Sequence, residues 1–298
     1  MSHARALPSL TLQDISVGEL LGVGGAGAVE RALWGARPLD LKRPLCGLSP
    51  PLEERARAAL AREEAHALIA LRHDQGRLAT PALVARLVAG EGAARLTGLL
   101  FEATEGLSAR EELRLRTRAG RPLTPREVGA RVELLCAALS SLHAAGVTHG
   151  DLCLSNVLLR DEDEGLSLID LGSAWSAELP YCPRACRARP RYTSPERARF
   201  EREATSASQG DPRPAPSWAS AERSWAQDSF ALGACWHEWV TGAPPDLDAP
   251  PAARALAALG WPPRWAEAVE ALCAPDPEGR PRPAEVGGAE VVWGGAWW

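Results

Sequence analysis

Between residues 15 and 43 short apolar stretches alternate with polar positions and are broken by glycine. This predicts three strands joined by tight turns: ISVGELLGVGG, AGAVERALW and RPLDLKRPL. Residues 52–72 predict a helix with Leu60, Glu64, Leu68 and Leu71 on one face. Glu64 therefore puts a carboxylate on an apolar stripe, which is costly unless a cation waits opposite. Leu83–Leu87 and Leu96–Phe101 predict two more strands, so a small β-rich unit with one helix ends near Ala103. Beyond it the pattern turns helical. Val128, Val132, Leu135, Leu139 and Leu142 recur at spacings of three and four within 124–145, the mark of a core-facing helix. Residues 226–241 and 263–273 predict further helices, and 200–224, rich in Ser, Ala, Pro and charge, predict an exposed, mobile insertion. No internal repeat is visible.

Composition narrows the class. A chain of 298 residues suits one large domain or two lobes. A net charge of −5 gives no electrostatic footing for nucleic acid or an anionic membrane. No apolar run reaches the roughly 18 residues of a membrane span, and MSHARALPSL lacks a signal-peptide apolar stretch; both lead us to expect a soluble, cytoplasmic protein. Seven scattered cysteines fit buried reduced thiols better than a disulfide frame; Cys182 and Cys186 have no second pair to complete a metal site. One feature of composition bears on chemistry. Of 33 Lys and Arg residues only Lys42 is lysine, and Asn156 is the only asparagine. Arginine cannot supply a compact ammonium, and asparagine offers a neutral amide oxygen that can ligate a hard cation without adding charge.

Both residues fall inside motifs. Gly22-Val23-Gly24-Gly25-Ala26-Gly27-Ala28-Val29 reads GxGxxGxV between two predicted strands, where glycine lets the backbone approach phosphates and aim N–H groups at them. Alone this pattern is weak, since glycine-rich hairpins are common. Lys42, on the third strand, is placed to reach those phosphates and to pair with Glu64. HGDLCLSNVLL (149–159) followed by LIDLG (168–172) is stronger. Asp170 and Asn156 can both offer oxygens to Mg²⁺, while Asp151 can accept the proton of an attacking hydroxyl. Phosphoryl transfer needs that division of labour.

In these motifs the chain resembles the protein kinase family, in its bacterial serine/threonine branch, over nearly its whole length. The resemblance implies an α+β, two-lobed fold: one kinase domain over 13–298, with a small β-rich N-lobe carrying one helix (13–103) and a larger, mainly helical C-lobe (104–298). It also implies ATP and Mg²⁺ as cofactors. Lys42 would bind the α- and β-phosphates and pair with Glu64; Gly22, Gly24, Gly27 and Val29 would cover the nucleotide. Glu102–Thr104 would meet adenine, with Phe101 guarding the rear. Asp151 would be the catalytic base, and Asn156 and Asp170 would hold magnesium. Small-molecule kinases of the aminoglycoside and choline type share HGD…N and a following Asp. Three further features favour protein kinases: RYTSPE (191–196) resembles the end of an activation segment, Asp228 the residue anchoring the catalytic loop, and Arg280 the partner of Glu196.

Four positions depart from the pattern. Asp40 stands where a small residue usually lies beneath adenine, and a buried carboxylate there is costly unless paired. Gly150 replaces the arginine of HRD, Cys153 the lysine two after the catalytic Asp, and Arg189 a threonine of the substrate loop. Arg184, Arg187, Arg189 and Arg191 lie on the segment itself and are not expected to tether it to the catalytic loop. The leading expectation is a kinase acting on Ser/Thr of a protein substrate, controlled by a regulatory partner or by the insertion rather than by segment phosphorylation. The alternatives are a pseudokinase acting as a binding module and a small-molecule phosphotransferase.

Overall fold

The computed structural model describes residues 7–24, 27–45, 47–72, 79–90, 95–160, 165–181, 189–206, 225–246 and 259–287. The N-terminal part is a sheet in the order β1-β5-β6-β4-β3-β2. Its strands are β1 (Ser9–Leu10), β2 (Ser16–Val23), β3 (Ala28–Trp34), β4 (Arg37–Arg43), β5 (Leu83–Ala89) and β6 (Arg95–Glu102). All neighbours are antiparallel except β1, which runs parallel to β5 and which the sequence pattern misses. Strand alternation sorts the side chains. Ala32, Leu39, Leu41, Ala85, Leu87 and Leu100 fill one core, while Arg31, Asp40 and Lys42 fall on the opposite face of β3 and β4.

Helix α1 (Pro50–Arg72) packs on that second face, with Leu60 and Ala67 against Leu83 and Leu99. Of the expected stripe, Leu60 is buried and Leu68 packs beside it, but the buried face is otherwise made mostly by small and polar residues. Ala56, Ala59, Leu60, Glu63, His66, Ala67 and Ala70 are buried, while Leu71 is exposed. The small alanines permit close approach to the 3-10 turn Leu171–Ser173, where Ala59 limits the space beside Gly172.

The C-terminal part begins with β7 (Gly106–Ser108) and α2 (Ala109–Arg118), then α3 (Pro125–Ala144). Thr124 starts α3 through a capping box: its hydroxyl accepts from Glu127 N–H and the Glu127 carboxylate accepts from Thr124 N–H. Strand β8 (Val147–Thr148) leads into the loop 149–156, and the hairpin of β9 (Val157–Arg160) and β10 (Leu166–Leu168) leads out of it. Strand β11 (Trp175–Ser176) returns to pair with β8. Then follow α4 (Pro195–Ser206), α5 (Trp225–Thr241), α6 (Pro263–Leu272) and α7 (Pro283–Val286). Helix α5 is buried almost all round, and its Trp236 meets Trp265 of α6 edge-on at 5.3 Å. No described helix is long and apolar enough to cross a membrane. The first residues of the expected insertion continue α4; 207–224, Cys46, Cys182, Cys186 and the tryptophan-rich terminus lie outside the described residues.

His66 carries a consequence for pH. It is fully buried and neither ring nitrogen has a hydrogen-bond partner among the described residues. Burial, then the Arg62 charge, holds its imidazole down to about 4. The unfolded chain takes up the proton near the ordinary value of about 6.5 while the folded chain does not, so stability falls as pH drops from about 6.5 toward 4. The loss reaches about 3 kcal/mol across that window. Urea titrations at pH 7.5 and 5 should show it, and the difference should shrink in His66→Leu; an equal difference in both proteins would exclude His66 as the cause.

Candidate active site

Four elements converge on the cleft between the two parts. Lys42 leaves the cleft face of β4, and its ammonium lies 2.6 Å from Glu63 of α1 and 2.8 Å from Asp170. The expected partner was Glu64. That carboxylate instead faces Arg86 of β5 at 3.5 Å. Adjacent helix residues point about 100° apart, so the face chosen by the alanines decides which glutamate meets the lysine. Although burial opposes it, the two carboxylates push the Lys42 pKa above its ordinary value. Burial pushes the Glu63 carboxyl up, against the pull of Lys42; Asp170 is held below the usual carboxylate range by Lys42 despite its burial. The ammonium thus bridges two carboxylates that would otherwise repel each other.

Asp170 is the only described non-glycine residue at positive φ, 68°. That backbone costs of order 1 kcal/mol or more and persists where the surroundings over-determine it. Across the loop, Asn156 donates from Nδ2 to the Asp151 carbonyl at 2.7 Å, which leaves its amide oxygen as the atom available to a cation. Among the described residues no cluster of three or more His, Cys, Asp or Glu is suited to a metal. Two oxygen donors, from Asp170 and Asn156, fit an ion that draws its other ligands from phosphate and water, as Mg²⁺ does.

The Asp151 carboxyl is raised by burial and lowered again by Arg189, with the net shift upward. Arg189 Nε approaches both Asp151 oxygens at 3.2 Å. The expectation that the segment's arginines cannot reach the catalytic loop therefore fails for Arg189. Cys153 is fully buried and its thiol is pushed up to about 11 by burial, so it is a neutral filler and not a replacement cation. The cation beside Asp151 comes from the later segment.

The loop itself hangs on Asp228 of α5. Its wholly buried carboxylate accepts from His149 N–H at 2.8 Å and Gly150 N–H at 3.0 Å, and meets His143 Nε2 at 2.8 Å. Gly150 has φ 76°, and a Cβ there would collide with the Trp175 ring and the Ser173 carbonyl. An arginine could not stand there without displacing Trp175. Buried Arg197 of α4 instead donates to the Gly150 carbonyl and lies over the rings of Trp175 and Tyr181 at 5.6 and 5.4 Å. Sequence reading missed Arg197, and no local pattern marks it. Arg280 grips Glu196 with two hydrogen bonds of 2.6 and 2.8 Å, the pairing expected of them.

The glycine-rich turn is described only at its edges. Gly22 and Gly24 end β2 and follow it, Gly24 N–H donates to the Gly27 carbonyl at 2.8 Å, and Val29 stands opposite Lys42. A Cβ on Gly27 would collide with the Arg43 carbonyl. Gly25 and Ala26 lie outside the described residues. At the rear of the cleft Phe101 pairs with Asp40 across β6 and β4, and Glu102 and Thr104 follow. Asp40 does not sit unpaired, as its position threatened. Its Oδ2 accepts from Thr104 N–H at 3.1 Å, and Oδ1 lies 3.1 Å from Arg31.

A family model described as "Protein kinase domain" matches residues 78–249 of the chain. No curated protein matches it. The matched stretch holds Asp151, Asn156, Asp170, Glu196 and Asp228; the glycine-rich turn, Lys42 and Glu63 precede it.

Proposed function

The chain belongs to the protein kinase family, and on that footing we propose that it transfers the γ-phosphoryl group of Mg·ATP to serine or threonine hydroxyls of a protein substrate. The observation that carries this reading is the Lys42 ammonium held between Glu63 and Asp170, with Asp151 and Asn156 on the loop alongside. Lys42 would neutralise charge on the nucleotide's phosphates without reorganising. Asp170 and Asn156 would hold magnesium, which draws charge from the phosphate oxygens when bound. Asp151 would orient the acceptor hydroxyl and take its proton, and Arg189 would keep that carboxylate in place. The Glu196–Arg280 pair supports a protein substrate over a small metabolite, because it fixes the segment that follows the cleft. Transfer of label from ATP in the presence of Mg²⁺ tests the reading. Parent protein should label itself or a generic protein substrate, and Asp151→Ala should not; equal labelling by both would remove Asp151 from the role.

One observation favours a second reading, a binding module without turnover: Asp40 occupies the Thr104 N–H. Labelling by the parent protein would exclude it.

Activity should not depend on phosphorylation of the segment between Asp170 and Glu196. Arg62 of α1 donates to the carbonyls of Ala174 at 2.6 Å, Pro180 at 3.1 Å and Leu179 at 3.3 Å, and this tether uses no phosphate. Ser173 and Thr193 are buried, and Ser176 Oγ accepts from Leu179 N–H at 3.1 Å. Phosphatase treatment, and a Ser173→Ala/Ser176→Ala/Thr193→Ala variant, should leave the rate within about threefold of the parent, since each retains the Arg62 and Arg197 tethers. A large loss in both would mean that a phosphate does order the segment.

A further inference from the structure

The residue just ahead of Asp151 is gripped from both sides by buried charge. Gly150 N–H donates to Asp228 at 3.0 Å, and the Gly150 carbonyl accepts from Arg197. Both charged side chains are buried. The Gly150 carbonyl and the Asp151 N–H belong to one planar unit that also contains the Asp151 Cα, so a donor fixed on that carbonyl sets where Asp151 begins. On the other side of the same unit, Asp151 N–H meets His149 Nδ1 at 3.3 Å. Arg197 is itself held. Its Nε donates to Glu201 at 2.7 Å, its guanidinium lies over Trp175 and Tyr181, and the Tyr181 hydroxyl donates to Glu201 at 2.6 Å. Trp175 in turn pairs with Thr148, just before the loop.

We propose that Arg197 is a positioning residue for Asp151, acting through the Gly150 carbonyl, and that Glu201 acts through Arg197. The inference rests on the phosphoryl-transfer reading above. It differs from the part given to Arg189, which meets the Asp151 carboxylate directly. A charge-assisted bond to a buried carbonyl is among the stronger ones. Without it the carbonyl loses that donor in a buried site, and glycine has the backbone freedom to turn toward another. Asp151 would turn with it, and a displacement of about 1 Å at a reacting group can cost about 100-fold in rate.

Single-turnover transfer from labelled Mg·ATP tests it, with ATP affinity and the number of binding sites measured by isothermal titration on the same samples. Arg197→Met fills a similar volume without the charge or its donors. It should slow transfer per occupied site about 100-fold while the ATP dissociation constant stays within about threefold of the parent. Arg197→Lys keeps a charged donor and should recover about tenfold of that loss. Glu201→Ala covers the case where the methionine variant misfolds: it should slow transfer about tenfold alone and add nothing to Arg197→Met. A role in folding alone would reduce the number of binding sites and leave the rate per occupied site unchanged; that result, or parent rates in both Arg197→Met and Glu201→Ala, overturns the proposal. Amide hydrogen exchange without nucleotide reads the grip apart from the chemistry. Gly150 and Asp151 should exchange faster in Arg197→Met than in the parent, and equal exchange overturns it. A parent that transfers no label overturns the phosphoryl-transfer reading, and exchange then still decides whether Arg197 holds the loop.

Discussion

Lys42→Arg is expected to lower the rate of phosphoryl transfer by at least about 100-fold while leaving a folded protein. The ammonium makes contacts of 2.6 and 2.8 Å with Glu63 and Asp170 in a buried pocket, and one compact head serves both carboxylates. A guanidinium is wider and planar, so it cannot keep both contacts and also meet phosphate in the same place. Its retained charge matters for the design of the test. Lys42→Met would leave two neighbouring carboxylates buried without a cation, and losing one partner of a buried pair costs about 3–5 kcal/mol, which would confuse folding with catalysis. Transfer rates from labelled ATP should therefore be read beside urea denaturation curves for the same samples. A variant that matches the parent rate would show that Lys42 plays no part in the chemistry. Asp170→Ala should lose Mg²⁺-dependent transfer as well, because Asn156 alone offers too little to hold the ion.

Asp228→Ala is expected to cost about 3–5 kcal/mol of stability. The carboxylate is wholly buried and serves three groups: the His149 and Gly150 amides and the His143 ring. Truncation leaves two buried N–H groups without an acceptor, each worth about 1–3 kcal/mol. Against a total stability of about 5–15 kcal/mol this would unfold a substantial fraction of the protein. Burial raises the Asp228 carboxyl, but the His143 hydrogen bond and its other partners hold it net below its ordinary value. Its contribution is therefore present above the unfolded carboxylate value of about 4 and is lost as pH falls below it. Urea midpoints at pH 7 should move sharply in Asp228→Ala and less in Asp228→Asn, which keeps one acceptor oxygen. A change under about 1 kcal/mol would mean that the loop is held by other contacts.

The two lobes' elements were legible because local patterns carry them. Strands β2 to β6 follow from period-two alternation and glycine breaks, and α3 from its apolar stripe. The lone lysine and lone asparagine marked two site positions without any structure, since drift toward arginine would have replaced a lysine whose compact head served no purpose. The spacing of Leu60, Leu68 and Leu71 points to Glu64, because leucines dominate a hydrophobic pattern and alanines hardly register in it. In the fold the alanines win, since only small side chains let α1 lie close to Leu171–Ser173.

The sequence by itself determined strands β2 to β6 and helices α1, α3, α5 and α6, the spacing of Asp151, Asn156 and Asp170, and the family those spacings resemble, because each depends on residues close together along the backbone. Tertiary structure alone decided which glutamate meets Lys42, that Arg189 supplies the cation beside Asp151, that Arg197 holds the carbonyl of Gly150, and that Asp40 takes the Thr104 amide. Each of these contacts joins residues 21 to 64 positions apart through a packed interface. Long side chains such as arginine can reach several partners from one position, and only the packing around them selects which.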